Sequence, residues 1–269
     1  MIAAVLAEKP YPGFEAPNPS HEFNPPALAQ WNLFGIDFEI TRITLINWVA
    51  VLVVLGFFIA ASRKPKVVPS RLQFAGESVY GFVRGSIARD VIGPEGIRFA
   101  PYLATFFVFI LANNVMGIIP FAQVAPTAKF ALPLFLALIV YVWYIGVGIK
   151  RQGLVTYFKN LAYIPGVPWP LHILLIPIEI FSKLLSRPFT LAVRLFANMF
   201  AGHLLLVVFA LGGIYMASQP HLTLKLLSPF SFVLAIAMTF FELLVEFLQA
   251  YVFTLLTATY LQESTSGGH

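Results

Sequence analysis

The chain has 269 residues, 59% hydrophobic and 11% charged, with a mean hydropathy of +0.82. Soluble domains carry about 25% charged residues, so this composition excludes a soluble globular protein and points to an integral membrane protein. Cysteine is absent, which excludes disulfides, thiolate metal ligands and cysteine nucleophiles. The net charge of +5 marks cytoplasmic loops of a membrane protein and not a nucleic-acid surface.

Residues 1–42 form a proline-rich segment (Pro10, Pro12, Pro17, Pro19, Pro25, Pro26) with a turn expected near Asn32 to Asp37. The start of the chain has no basic stretch before its short apolar run, and Lys9 follows it, a poor match to a signal peptide. Residues 43–62 are apolar enough for a first spanning helix. Residues 63–98 carry Arg63, Lys64, Lys66, Arg71, Arg84, Arg89 and Arg98, with Leu72, Ala75, Val79, Phe82, Val83 and Ile87 at helical spacing. That pattern predicts an amphipathic helix on the membrane surface. Spans two and three are expected over 99–120 and 130–149. After a link containing Lys159, a long helical stretch over 169–215 is interrupted by Pro177 and Pro188, and the last span covers 226–261, leaving 262–269 as a tail. The last two helices exceed the ~30 Å hydrocarbon thickness at 1.5 Å per residue, so they must tilt or kink as a hairpin. The fold class is therefore an all-α integral membrane protein with five spanning helices and one surface helix. Basic residues concentrate in 63–98 and 150–159, which predicts that these segments and the C-terminus are cytoplasmic and the N-terminus is outside.

Arg194 stands in the middle of an otherwise oily helix. An arginine at mid-bilayer costs about 2.5–3.5 kcal/mol even on the lenient insertion scale. It is kept either because it faces protein or water for a function, or because it snorkels to the headgroups. At 100° per residue, His172, Glu179, Lys183, Arg187, Thr190 and Asn198 fall within about 60° of it, and His203 lies about 180° away. His172, Lys183 and Arg187 lie nearer the cytoplasmic side, where snorkelling competes with a functional role. On the last helix, Glu242, Glu246 and Gln249 share one face. An isolated ionised carboxylate is too costly to bury, so these groups must be protonated, paired or wetted. His203 with Glu242 or Glu246 makes a candidate proton-handling pair, imidazole being the side chain that changes charge near neutral pH. Either glutamate alternatively serves as a structural hydrogen bonder. Asn113 and Asn114, near the outer end of the second span, either hydrate an aqueous vestibule or bond between helices.

The run RPFTLAVRLFANMFAG at 187–202, the run LQAYVFTLLT at 248–257 and NNVMGIIP at 113–120 closely resemble subunit a of the F-type ATP synthase membrane sector, bacterial type. The resemblance covers most of the chain. It implies a multi-pass stator subunit of a bacterial plasma membrane that faces a ring of c subunits, alongside the subunit b peripheral stalk and the remaining ATP synthase subunits. No nucleotide chemistry, cofactor or metal on this chain is implied. The family's arginine falls on Arg194, a charge barrier between two offset aqueous half-channels that carry protons to and from the ring carboxylates. Asn198 and Gln249 match family positions beside that arginine. His203 and Glu242 match a half-channel pair that some members carry in exchanged order. Glu246 is a candidate from its place in the helix alone. Two other classes lack support. A secondary transporter would show repeated halves with broken helices, and an intramembrane hydrolase would show a His-Glu-x-x-His or Gly-x-Ser-x-Gly motif.

Overall fold

Lipid offers no hydrogen bonds, so a spanning backbone must satisfy every amide within its own segment. The computed structural model describes residues 26–33, 36–63, 65–119, 122, 124–157 and 169–266, and helices dominate them. Five helical stretches are long and apolar enough to cross a membrane: Arg42–Ser62, Pro94–Val115, Ala131–Gln152, Leu175–Ser218 and Leu222–Thr265. The chain is an all-α integral membrane protein.

A two-stranded antiparallel hairpin precedes the helices, β1 (Ala29–Leu33) pairing with β2 (Ile36–Ile40) in the register Ala29↔Ile40 and Asn32↔Asp37. The reversal falls where a turn was expected, but the flanking strands were not anticipated. Both strands do alternate apolar and polar residues, Ala-Gln-Trp-Asn-Leu and Ile-Asp-Phe-Glu-Ile, a period-two strand signal set close after a proline-rich stretch. Helix α1 (Arg42–Ser62) is capped by Thr41, whose hydroxyl accepts from the Thr44 amide. Ile43 and Ala50 are buried and Asn47, Val51, Val54, Phe58 and Ala61 half-buried along one stripe, and the other faces of the helix stay open, as those of a lipid-facing helix do.

Helix α2 (Arg71–Phe82) starts at Ser70, whose side chain accepts from Gln73 N. It runs into a π-helical segment, Val83–Ile92, ended by Gly93 at φ 94°, and a 3₁₀ turn, Pro94–Phe99. The expected amphipathic pattern holds at Val83 and Ile87, which are fully buried, but Leu72 stays exposed and Gln73 and Gly76 are buried in its place. The reason is close approach to α1: a Cβ on Gly76 would already lie 3.1 Å from Ala61 Cβ. Helices α3 (Ala100–Val115) and α4 (Ala131–Gln152) follow. Gly153 at φ 81° terminates α4, with Lys150 and Arg151 in its last turn offsetting the negative end of the helix dipole.

The long fourth span is three pieces: α5 (Trp169–Ile180), a π-helical turn (Phe181–Ser186) and α6 (Arg187–Ser218). Pro188 sits in the first turn of α6, directly after a π turn whose last residue, Ser186, stays in the helical region, so the chain continues as helix across the junction. The π turn uses i→i+5 bonds, so helical phase does not carry from α6 back to His172, Glu179 and Lys183. The final helix α7 (Leu222–Ser266) has 45 residues, about 67 Å at 1.5 Å per residue, more than twice the hydrocarbon thickness. It pairs antiparallel with α6 and also packs on α3 and α4. The core lies among these four helices and the π segment, built from Leu103, Phe107, Val140, Leu191, Leu195 and Phe253.

Gly96 is the tightest backbone approach at the surface-helix corner, because an added Cβ would collide with the Ala88 carbonyl and come within 2.6 Å of Ile92 Cβ. Gly96→Ala should therefore cost about 1–3 kcal/mol as overpacking does. A thermal-denaturation midpoint unchanged from the unsubstituted protein would show that the corner yields freely.

Candidate functional site

The site is assembled by the α6–α7 hairpin, whose register is set by side chains from both helices. Asn198 Nδ2 donates to Gln249 Oε1 at 2.7 Å. Ser231 Oγ donates to the Phe209 carbonyl at 2.7 Å and Ser228 Oγ to the Gly213 carbonyl at 2.8 Å. At the other end Arg187 pairs with Glu263 at 2.7 Å. Small residues let the helices touch: a Cβ on Gly202 would lie 3.1 Å from Glu242 Oε1, and one on Gly213 the same distance from the Phe232 ring.

Arg194 is half-buried, on a face of α6 that stays open. Thr190, Ala197, Asn198, Ala201 and Leu205 are exposed along that face, while Leu191, Leu195, Met199 and His203 are buried on the other. No hydrogen bond or ion pair holds the Arg194 guanidinium among the described residues. The two faces reproduce the half-turn separation of Arg194 and His203 expected from helical spacing. Along the axis the two residues are nine positions apart, about 13 Å.

Polar side chains gather on both sides of Arg194. On the His203 side, α7 contributes Glu242 and Glu246, both buried, and α3 contributes Asn113 and Asn114, both inaccessible. Asn114 Nδ2 donates to the Glu246 carbonyl at 3.3 Å, and Asn114 Oδ1 accepts from Thr127 Oγ1 at 2.6 Å. Asn113 Nδ2 donates to the Phe109 carbonyl at 2.9 Å. Asn113 Oδ1 and both carboxylate oxygens of Glu246 have no hydrogen-bond partner among the described residues. Thr127 belongs to a 3₁₀ turn, Pro126–Ala128, and was missed in sequence because it lies in what reads as an external loop.

On the far side, Lys183 pairs with Glu179 at 2.7 Å, and the Tyr144 hydroxyl donates to the Lys183 carbonyl at 3.0 Å. Arg187 lies over the Tyr260 ring, 5.0 Å from its centroid, besides pairing with Glu263. Glu263 escaped the sequence reading because α7 continues past the expected end at Leu261. Tyr144 and Tyr260 carried no distinguishing signal among the many aromatic residues. These ion pairs are partly exposed, so they orient charge more than they stabilise, each being worth at most about 1 kcal/mol. Thr190 joins neither group and faces outward with Arg194. The side chain of His172 lies outside the described residues.

The arrangement defines a class: a multi-pass membrane protein with a mid-helix arginine on an open face, without an ion-pair partner among the described residues, between two groups of polar and titratable side chains. Comparison with known proteins places it within that class. The family model described as ATP synthase A chain matches residues 44–262. The ATP synthase subunit a of Nocardioides sp. is 42% identical over 273 residues, covering 99% of each chain. Those of Parafrankia sp. and Rhodococcus erythropolis are each 44% identical over 250 residues. They span 93% of this chain and 83% and 90% of their own lengths. The chain belongs to the ATP synthase A chain family, membrane-sector subunits of the F-type ATP synthase.

The Asn198–Gln249 bond joins a buried glutamine to an asparagine on a membrane-embedded face. Asn198→Leu and Gln249→Leu each strand a polar partner away from bulk water and should each cost about 1–3 kcal/mol. Thermal denaturation of the purified complex measures the cost, and an unchanged midpoint in both variants would reject this account of the bond.

Proposed function

We propose that the chain is the channel-forming stator of its ATP synthase, with Arg194 as the fixed charge that separates two offset aqueous half-channels. Three things support the reading: a guanidinium without a counter-charge on an open helix face, polar groups on both sides of it, and the family to which the chain belongs. The first carries it. An arginine cannot be deprotonated in a protein, so it is a poor relay and a good barrier. Left unpaired in its own chain, it is available to a carboxylate brought by a partner.

The partner is the ring of c subunits, seated against the Thr190, Arg194, Asn198 and Ala201 face. A ring carboxylate passing Arg194 is held ionised by the adjacent positive charge, releases its proton on one side, and takes up another on the other. Asn198 and Gln249 hold the helix pair together at this crossing point. The half-channel on one side runs through Asn113, Asn114, His203 and Glu242, where imidazole and carboxylate pass protons that Arg194 cannot. On the other side Glu179, Lys183 and Arg187 line the exit, with Glu263 and Tyr144 joining them. The positive-inside distribution of basic residues orients the chain with its N-terminus outside, residues 63–98 and the C-terminus in the cytoplasm. Its outer helices meet lipid and the subunit b stalk, and the nucleotide chemistry belongs to other subunits. One charge crossing the full potential is worth about 2.3 kcal/mol per 100 mV, and a proton slipping past Arg194 dissipates that energy without turning the ring.

The test is Arg194→Ala in the assembled complex. Coupled ATP synthesis in energised vesicles should fall to background while the amount of complex in the membrane is unchanged. Normal coupled synthesis in an assembled Arg194→Ala complex would overturn the reading.

A further inference from the structure

Glu246 is the one buried carboxylate that the channel reading leaves without a task. It is wholly inaccessible, and neither carboxylate oxygen has a hydrogen-bond partner among the described residues. Burying a carboxyl group with nothing to bond costs several kcal/mol on the order of a lost polar solvation shell. Chains retain such a group where water, an ion or a proton meets it. Its surroundings supply the rest of a wet pocket. Asn114 on α3 is bonded to the Glu246 carbonyl, and Asn113, beside it, keeps a second buried oxygen without a partner. Glu242 lies one turn before it on α7, and residues four apart on a helix are side-chain neighbours.

We propose that Glu246 is a second proton-relay carboxylate, a station on a water-filled path between the Asn113–Asn114 end of α3 and Glu242. The inference rests on the channel reading above and adds a residue to it. The step balances as one proton in and one out. Glu246 accepts at a carboxylate oxygen a proton that the water chain on the α3 side carries in from the aqueous phase as hydronium, leaving neutral water, and releases a proton, through water, to the Glu242 carboxylate. Of the elements packed on this part of α7, α3 brings only neutral amides and α6 brings the buried His203. Arg84, Arg89 and Asp90 of the π-helical segment are exposed, and the charges of α4, Lys150 and Arg151, sit in its last turn. The carboxylate that Glu246 exchanges with is thus Glu242, and no fixed cation competes for its proton.

The test uses membrane vesicles carrying the whole complex, with passive proton conduction through the membrane sector read after the soluble sector is stripped. Glu246→Leu and Glu246→Gln should each slow conduction by about a hundredfold or more, the scale of a lost proton-transfer group. Glu246→Asp, which keeps the carboxyl, should retain most of it. Conduction by Glu246→Leu at the unsubstituted rate would overturn the proposal, as would equal loss in Glu246→Asp and Glu246→Leu. Hydroxyl-radical footprinting of the unsubstituted complex reads the water directly, whatever the variants do to assembly. Oxidation at Glu246 is expected, and a protected Glu246 overturns the proposal. Arg194→Ala in vesicles that keep the soluble sector, assayed for coupled synthesis, separates the two readings. If it abolishes coupled synthesis while Glu246→Leu conducts normally, only the role of Glu246 fails.

Discussion

Everything in this protein depends on how polar side chains are satisfied where no solvent is available. Helices solve the problem for the backbone, but they leave each polar side chain to find a partner on a neighbouring helix. The α6–α7 hairpin is that solution. Asn198 with Gln249, Ser231 with Phe209 and Ser228 with Gly213 lock two long helices at one register, and the same register then determines which side chains stand beside which. Glu242 lies against Gly202 because those bonds hold it there. A shift of one helical turn would separate the carboxylates from α3 and leave Arg187 without Glu263.

The hairpin also divides its residues by chemistry. Groups that titrate or need bonding, His203, Glu242, Glu246 and Gln249, are buried between helices, while Arg194 occupies the face that the chain itself leaves open. A permanently charged guanidinium and a titratable imidazole on opposite faces of one helix, about 13 Å apart along its axis, cannot short-circuit each other. The side that is closed by packing suits proton transfer through a confined path. The side that is open suits a moving partner. That separation leaves the Arg194 charge without a neutralising carboxylate among the described residues, as the proposed role beside a partner requires.

Much of this was legible in the residue order. Composition and the length of apolar runs are enough to place five helices, because the bilayer imposes both. The buried face of Glu242, Glu246 and Gln249 follows from 3.6-residue spacing inside a single unbroken helix. The reading loses precision where the helix is not regular. The π-helical turn at Phe181–Ser186 resets the phase upstream of Arg187, and α7 reaches past Leu261 to bring in Glu263. Along 63–98 the spacing favours Leu72 over Gly76 at the packed face. The glycine wins because the backbone of α2 approaches Ala61 too closely for a larger side chain.

By itself the sequence determined the membrane class, the number of crossings and the placement of Arg194 and His203 on opposite faces. Each of these follows from local periodicity and from the cost of charge in hydrocarbon. Partnership came only from the tertiary structure. That Thr127 serves Asn114, that Asn114 serves the backbone of Glu246, and that Arg187 finds Glu263 while Arg194 finds no counter-charge among the described residues, are consequences of helix packing. Each of those three contacts joins residues far apart in the chain, whereas Glu179 and Lys183 are i,i+4 neighbours. Periodicity reports which way a side chain points, and packing alone decides what it meets.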